Sequence, residues 1–255
     1  MIRNLFIFLY QFNVFKRIVP SILRKLSLFK KSQTISLENF KMNLHFKSSI
    51  DREIYLKNKY ESKQINFLTS QFEHNKFDLF LDIGSYIGYY SLFLYNKIQN
   101  IYAFEPNSEN YKKLKKNTLI NNFKIKTFNF ACSNFDGESK IWYTDVNKLG
   151  GSSVFDENDK EIEKYDFKKI LFEKINVSRL DNLIKVVKKK IIIKIDVERH
   201  ELMVLQGAIK LIKNNNIFLQ IEIFDSRKKI ILDYLIENGF KLKNNINKDY
   251  FLSNY

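Results

Sequence analysis

The sequence predicts an α/β fold built on an open, mostly parallel sheet with helices on both faces. Short apolar runs alternate with helical patterns along residues 78–238. Only two prolines occur, and no tract rich in proline, glycine or serine divides the chain. At 255 residues the chain can bury one sizeable core. We therefore expect one α/β domain over residues 51–255, preceded by a basic and apolar extension over residues 1–50.

Each predicted strand is a short apolar run, and each predicted helix has apolar residues at helical spacing. The strands cover residues 78–83, 100–105, 125–131, 138–143, 191–196 and 217–223, and the helices cover residues 88–96, 107–117, 179–189, 199–213 and 226–238. Two terminal segments, GFKLK and DYFLSNY, predict antiparallel edge strands. Residues 144–175 interrupt the alternation with a glycine pair and dense mixed charge. Such an interval is typical of a substrate-specific loop or lid, or of a solvated insertion.

The formal net charge of +15 is unevenly distributed, because seven cationic side chains lie within residues 1–31 and the first acid is Glu38. The apolar part of this segment, LFIFLYQFNVF, is too short to span a bilayer, and no small-residue cleavage pattern follows it. We expect residues 1–31 either to lie on an anionic membrane surface as an amphipathic helix or to pack on the core with their cations in water.

A single cysteine, Cys132, cannot form an internal disulfide. This favours a reducing compartment. We expect a cytoplasmic protein, with peripheral contact to the inner face of the membrane as an option.

The stretch DIGSYIGYYS joins an apolar strand to a helical pattern, as in the first half of a nucleotide-binding unit. A dinucleotide fingerprint would place glycines where this chain has Tyr86 and Tyr89. The spacing Gly84-x-x-x-Gly88 instead favours a ligand with one nucleoside, one carboxylate and one ammonium group. Glu105 lies 21 residues after Gly84, at the end of the next strand. A carboxylate there can accept both ribose hydroxyl protons.

A second group of ionisable side chains follows the apolar run IIIKI. Asp196 ends this strand, and Glu198, His200 and Glu201 follow within one helical turn, where open α/β sheets bind ligands. His200 is the first candidate for a general base because its ordinary pKa lies near neutrality, and Asp196 is the second. An exposed helix residue is the alternative for His200. We expect no metal, although Asp196, His200 and Glu222 could supply ligands to a divalent cation.

Four segments together resemble the FkbM-type S-adenosylmethionine-dependent methyltransferases. These segments are FLDIGSYIGYYSLFL, IYAFEPNSENYKKLKKN, VSRLDNLI and IIIKIDVERHELMVLQGA, in the family's order. The resemblance implies a class I methyltransferase fold, Rossmann-like, with a mostly parallel seven-stranded sheet. It also implies S-adenosyl-L-methionine as cofactor and methyl transfer to a hydroxyl oxygen, often on a sugar or a natural product.

The resemblance also implies specific site residues. The cofactor contacts expected by position are Asp82, Gly84, Ser85, Gly88, Glu105, Pro106, Ala131 and Asp196. The catalytic residues expected are His200, Asp196 and Glu198. One position departs from the family pattern, because Arg199 stands where a glycine usually follows the Asp-Val-Glu motif. If that glycine serves a positive φ or a close approach of substrate, Arg199 strains the turn or narrows the pocket.

Two other functions compete with this interpretation. A nucleic-acid methyltransferase would fit the basic charge, but no two prolines are adjacent, as amino-methylating enzymes usually require, and Cys132 has no neighbouring motif for cytosine chemistry. A catalytically impaired fold that works as a membrane-surface or interaction module is the other alternative. The acceptor, the methylated position and the oligomeric state stay open, and we expect a small-molecule or glycan acceptor and no nucleic acid.

Overall fold

A computed structural model describes residues 2–26, 32–143, 153–154 and 171–255. The helices are α1 (Ile2–Tyr10), α2 (Phe15–Leu26), α3 (Ser49–Lys57), α4 (Ser62–His74), α5 (Tyr89–Leu94), α6 (Ser108–Leu119), α7 (Leu180–Leu183), α8 (Glu201–Gly207), α9 (Ile209–Asn214) and α10 (Lys228–Glu237). The strands are β1 (Ser32–Ser36), β2 (Lys41–His45), β3 (Leu79–Ile83), β4 (Ile101–Phe104), β5 (Lys126–Phe128), β6 (Ala131–Cys132), β7 (Gly137–Tyr143), β8 (Ser153–Val154), β9 (Leu171–Ser178), β10 (Lys190–Ile195), β11 (Asn216–Glu222), β12 (Lys241–Ile246) and β13 (Asp249–Ser253).

A seven-stranded sheet in the order β12-β13-β11-β10-β3-β4-β5 forms the centre of the molecule. Strands β11, β10, β3, β4 and β5 run parallel. Strand β13 is antiparallel to both of its neighbours, β11 and β12, so β12 runs in the same direction as the parallel strands. The inner strands are continuous apolar runs because helices and loops cover both faces of the sheet. Phe80 and Ile192 pack into one core, while Leu81 and Ile193 pack into the other. The predicted α/β fold with a mostly parallel sheet is confirmed.

The C-terminal pair differs in one detail from the expectation of two edge strands. The strand within DYFLSNY is β13, which lies between β11 and β12, so only β12 is at the edge. All five residues of β13 are buried, whereas most of β12 is exposed. An apolar strand gains more from an inner position, and the lysine-bearing strand is better suited to an edge.

A second, four-stranded sheet has the order β6-β9-β7-β8. The predicted strand at 138–143 belongs to this sheet and not to the central one, and the run 125–131 divides between β5 in one sheet and the start of β6 in the other. Residues 171–175, expected within an irregular interval, form part of β9, which pairs antiparallel with β7. The rest of that interval, 144–152 and 155–170, lies outside the described residues.

Two predicted helices are wrong in extent. The helix expected over 179–189 is only the short α7, and the helix expected over 199–213 divides at Ala208 into α8 and α9. Asp181 explains the division, because its carboxylate accepts the backbone N–H groups of Lys210 and Leu211 at 3.0 and 2.8 Å. These donors lie in the first turn of α9, where no intrahelical acceptor is available.

The N-terminal segment is helical, and sequence analysis did not assign the elements that follow it. Helix α2 buries Val19 and Leu23 in the same core as Phe80. The Arg3 side chain donates to the Tyr55 carbonyl oxygen at 3.2 Å, which ties α1 to α3. In the described part of the chain, no helix has the length and apolarity needed to cross a membrane. The division into domains at residue 50 stays a prediction.

Candidate active site

A deep cavity lies at the carboxyl ends of β3, β4, β10 and β11. Its empty volume is about 1180 Å³, including the open mouth. The predicted site residues that line it are Asp82, Gly84, Ser85, Glu105, Pro106, Ala131, Asp196, Glu198, His200 and Glu222. Gly88 is the predicted residue that does not line it. Two motifs more than 100 residues apart in sequence therefore meet at one opening, as expected for an open α/β sheet.

The glycine loop after β3 is shaped by close packing. Gly84 has φ +79°, and a Cβ there would lie 1.8 Å from the carbonyl oxygen of Asp196. A Cβ at Gly88, which has φ +89°, would lie 2.6 Å from Leu114 Cδ1. Both glycines thus bring neighbouring elements together. Sequence analysis had expected both glycines as cofactor contacts and had not anticipated this packing role.

Glu105 is held rigidly at the end of β4. Its carboxylate accepts the backbone N–H of Tyr86 at 2.9 Å and that of Asn107 at 3.0 Å. Burial raises the pKa of Glu105 to about 8, although these hydrogen bonds oppose the shift. The Asn110 side chain also hydrogen-bonds to this carboxyl group, and each carboxyl oxygen can accept two hydrogen bonds. Glu105 therefore retains acceptor capacity for a ligand hydroxyl without giving up its protein partners.

The two carboxyl oxygens of Asp82 differ in their hydrogen bonding. Its Oδ2 accepts the Ser91 hydroxyl at 2.6 Å and the Ser91 N–H at 3.2 Å. Its Oδ1 is buried and has no hydrogen-bond partner among the residues that the structure describes. Burial raises the pKa of this carboxyl. A buried acceptor on the cavity wall without a donor fits a ligand that carries an ammonium or hydroxyl group.

Lys194 is a buried cation at the centre of the site, and sequence analysis missed it. Its Nζ lies 2.9 Å from Asp196 Oδ2 and 4.7 Å from the centroid of the Tyr90 ring. The Tyr90 hydroxyl donates to Glu61 Oε2 at 2.7 Å. Burial alone would lower the pKa of Lys194, but the charges of Asp196, Glu61 and Asp82 raise it above its ordinary value. The ammonium group therefore stays charged and balances several carboxylates.

Three carboxylates surround the cavity mouth beside Lys194. One oxygen from each of Asp196, Glu198 and Glu222 lies within 4.8 Å of the others. Burial and the neighbouring negative charges raise the pKa of Glu198 to about 7 and that of Glu222 to about 8. These oxygens could hold a divalent cation, and the group contains Glu198 where sequence analysis had proposed His200. Near neutral pH, Glu198 and Glu222 are therefore partly protonated, so the group can hold a proton and can also accept one.

His200 is buried, so the alternative of an ordinary exposed helix residue is wrong. Its Nε2 lies 2.9 Å from the Ser133 hydroxyl oxygen. This contact orients the imidazole ring and occupies one of its two nitrogens. Glu198 lies in the carboxylate group at the cavity mouth and has a pKa near neutrality, so it is better placed to exchange a proton with a ligand.

Arg199 occupies a left-handed conformation with φ +79°, directly after Glu198 at φ +51°. The sequence expectation of a strained turn is confirmed, since non-glycine residues rarely adopt this region. Arg199 does not line the cavity, so it does not narrow the pocket. Its backbone N–H donates to Glu201 Oε1 at 2.9 Å, and its guanidinium carbon lies 5.1 Å from the centroid of the Phe224 ring. These two contacts offset part of the strain.

Residues 32–74 also contribute to the cavity, which sequence analysis did not anticipate. Tyr60 and Glu61, between α3 and α4, line it together with Ile50 and Ile54 of α3. The Tyr60 N–H donates to the Tyr89 hydroxyl at 3.1 Å. The loop after α3 thus forms one wall of the cavity.

The strand order and the cavity at the carboxyl ends of the parallel strands define the class I methyltransferase fold. The crystal structure of methyltransferase FkbM from Methylobacillus flagellatus KT is similar, with a TM-score of 0.50 and 16% identity over 94% of this chain and 60% of that one. The METTL16 MTase domain has a TM-score of 0.50 and 13% identity over 92% of this chain and 81% of that one. At these identities the likeness shows the fold alone. No curated protein matches this chain.

Residues 82–242 match the family described as Methyltransferase FkbM domain, which is more than half of the chain. The chain therefore belongs to the FkbM methyltransferase family. Membership implies S-adenosylmethionine as the cofactor. This chain spans 60% of the length of the FkbM structure named above.

Replacing Lys194 with Met is expected to destabilise the fold strongly at about pH 8, by roughly 3–5 kcal/mol, because buried carboxylates lose their cation. Burial already raises the folded-state pKa values of Asp82 and Glu61, and without the ammonium group they rise further above their unfolded values. The variant therefore loses stability as the pH rises. The difference in free energy of unfolding between the variant and the intact protein is smaller at about pH 5.5 than at about pH 8. Urea unfolding at both pH values measures it.

Lys189→Met is the matched control, because Lys189 forms an exposed pair with Asp78 at 3.4 Å. It should cost less than about 1 kcal/mol at either pH. An equal loss in Lys194→Met at both pH values would show that charge balance is not what Lys194 provides.

Arg199→Gly is expected to be more stable than Arg199→Ala by about 1 kcal/mol, because both lose the contact with Phe224 and only glycine accepts the positive φ freely. Urea unfolding measures the difference. The same two substitutions at exposed Lys210 in α9 should give the opposite order. A variant Arg199→Ala as stable as Arg199→Gly would contradict the assigned strain.

Proposed function

We propose that this protein is an S-adenosylmethionine-dependent O-methyltransferase that acts on a hydroxyl group of a sugar, a glycan or a natural product. One observation carries the proposal. A single cavity joins two buried acids suited to a nucleoside and an ammonium group, Glu105 and Asp82, to carboxylates of near-neutral pKa, Glu198 and Glu222.

The donor half of the site fits the cofactor. Asp82 offers an ammonium group a buried oxygen that has no partner in the described ranges, and Glu105 offers acceptor capacity for a ribose hydroxyl. Ser85, Pro106 and Ala131 complete the wall between them. When bound here, S-adenosylmethionine supplies a methyl group attached to a positively charged sulfur. The surrounding acids favour that charge, since opposite charges attract strongly in a partly buried site.

The acceptor half provides a base. A hydroxyl oxygen must lose its proton as it gains the methyl group, so a group that accepts a proton near neutral pH is needed. Glu198 takes this role, with a pKa of about 7. Burial and the charges of Asp196 and Glu201 keep that pKa high, and the Lys194 ammonium group pairs with Asp196. Carboxylates at the mouth also accept hydrogen bonds from several hydroxyls, which suits a polyhydroxylated acceptor.

The same carboxylates disfavour the nucleic-acid alternative. Asp196, Glu198, Glu222 and Glu61 all line the cavity, and a phosphate backbone at this mouth would meet like charge. The impaired-enzyme alternative has one supporting feature, the strained Arg199. This residue lies outside the cavity wall and leaves the carboxylates in reach of a ligand.

Replacing Glu105 with Ala is expected to weaken S-adenosylmethionine binding roughly 10–100-fold, because a buried carboxyl can no longer accept the ribose hydroxyls. Calorimetric titration with S-adenosylmethionine and S-adenosylhomocysteine measures this. Glu105→Gln, which preserves the volume, should change affinity in the same direction.

Glu109→Ala is the control for this titration. Glu109 is exposed on α6 and pairs with Lys112 at 2.7 Å, so its loss should leave affinity unchanged. Equal affinities for the Glu105 variants and the intact protein would remove Glu105 from the cofactor site. Absence of binding by the intact protein would favour the interaction-module alternative.

Methylation of a hydroxyl acceptor found by screening sugars is expected to rise with pH through about 7, as Glu198 becomes ionised. Glu198→Gln should lower kcat about 10²–10⁴-fold and abolish this rise. The pH dependence of kcat measures both effects. Glu138→Gln, on the exposed part of β7, is the control and should keep the profile of the intact enzyme. A profile that survives in Glu198→Gln and disappears in His200→Gln would transfer the role to His200.

A further inference from the structure

The N-terminal helices expose an unusual amount of apolar surface. The large apolar side chains exposed on these helices and on the turn between them are Ile2, Leu5, Phe8, Phe12, Val14, Ile18, Ile22 and Leu26. Each of these residues is between 37% and 74% exposed, so none of them is a mainly buried residue with only an edge at the surface. We call this set the N-terminal apolar surface. Exposed apolar surface on this scale marks an interaction site.

The spacing shows that these residues form continuous stripes. Ile2, Leu5 and Phe8 follow at intervals of three along α1, which places them on one face of the helix. Ile18, Ile22 and Leu26 follow at intervals of four along α2. The Phe8 and Phe12 rings lie 5.3 Å apart and connect α1 to the following turn.

Packing on the core does not account for these stripes. Other residues of the two helices serve that purpose: Val19 and Leu23 are buried, and Phe6, Leu9 and Phe15 pack against the core. Helices α1 and α2 thus carry apolar residues for the core and further apolar residues that face outward. Packing on the core, one of the two expectations for this segment, therefore accounts only for the apolar residues that face inward.

The charge of the segment is suited to an anionic partner. Seven cations and no acid occur in residues 1–31. Lys16, Arg17, Arg24 and Lys25 are exposed on α2, beside the apolar stripe. A second copy of the chain would bring two such cationic segments together, which like-charge repulsion opposes. Anionic lipid headgroups satisfy both features, because cations bind the phosphates while apolar side chains enter the boundary of the acyl chains.

We propose that α1 and α2 dock this protein on the surface of an anionic phospholipid bilayer through the N-terminal apolar surface and the cations of α2. Docking does not depend on methyl transfer. It places the cavity close to the membrane, because α1 and α2 pack on α3, whose Ile50 and Ile54 line the cavity. Arg3 holds this arrangement through its hydrogen bonds to the Tyr55 carbonyl oxygen and the Asn58 side chain.

Cosedimentation of the full chain with vesicles tests the proposal. The protein should bind vesicles of phosphatidylcholine mixed with phosphatidylglycerol, bind weakly to phosphatidylcholine alone, and lose affinity as salt screens the charges. Phe8→Ser combined with Ile18→Ser should reduce the partition coefficient at least roughly tenfold, because two large apolar side chains no longer enter the bilayer. Lys16→Glu combined with Arg17→Glu should abolish the preference for the anionic vesicles.

Matched controls separate docking from general surface effects. Leu119→Ser combined with Ile236→Ser removes side chains that are 70% and 64% exposed elsewhere, and binding should be unchanged. Unfolding transitions verify that each variant is folded. Equal binding by the Phe8/Ile18 variant and the intact protein would overturn the proposal. The proposal would also be overturned if the intact protein forms a dimer in solution and does not bind vesicles, and if this dimer dissociates in the Phe8/Ile18 variant.

Discussion

The ammonium group of Lys194 is the interaction on which the site depends. It is buried in the central strand β10, yet it lies among carboxylates from three separate parts of the chain: Asp196 on its own segment, Asp82 at the end of β3, and Glu61 from the loop after α3. Without this cation the acids would repel each other at the end of the sheet, because charges in a buried site are weakly screened. With it, they remain close enough to form one polar wall.

A steric constraint acts at the same place. The backbone of Gly84 lies so near the Asp196 carbonyl oxygen that no side chain fits between them. The two parallel strands therefore hold their terminal loops in contact, and the acids on those loops cannot move apart independently. Electrostatic attraction and close packing together determine the shape of the cavity, and each depends on the other to be effective.

Sequence analysis predicted the parts of this structure that have local patterns. Apolar runs indicated the parallel strands, and the motifs around Gly84 and Asp196 indicated the two ends of the cavity. The second sheet was missed because β9 is mostly exposed, with few buried residues, and pairs with β7 across a long and highly charged interval. Glu61 and Lys194 were missed for a different reason: a lone glutamate in a loop and a lone lysine in a strand carry no motif, and their partnership exists only after folding. The contact between His200 and Ser133, from a distant segment, likewise exists only after folding.

The position of β13 has a consequence for how the chain assembles. This strand inserts between β11 and β12, and the Asp249 carboxylate accepts Gln220 Nε2 at 2.9 Å and Gln64 Nε2 at 3.1 Å. During synthesis β12 leaves the ribosome before the strand that will attach it to the sheet. Strand β12 cannot join the sheet before β13 is in place, so the edge at β11 stays open until then. Gln64 of α4 gains its hydrogen bond to Asp249 only at that late stage.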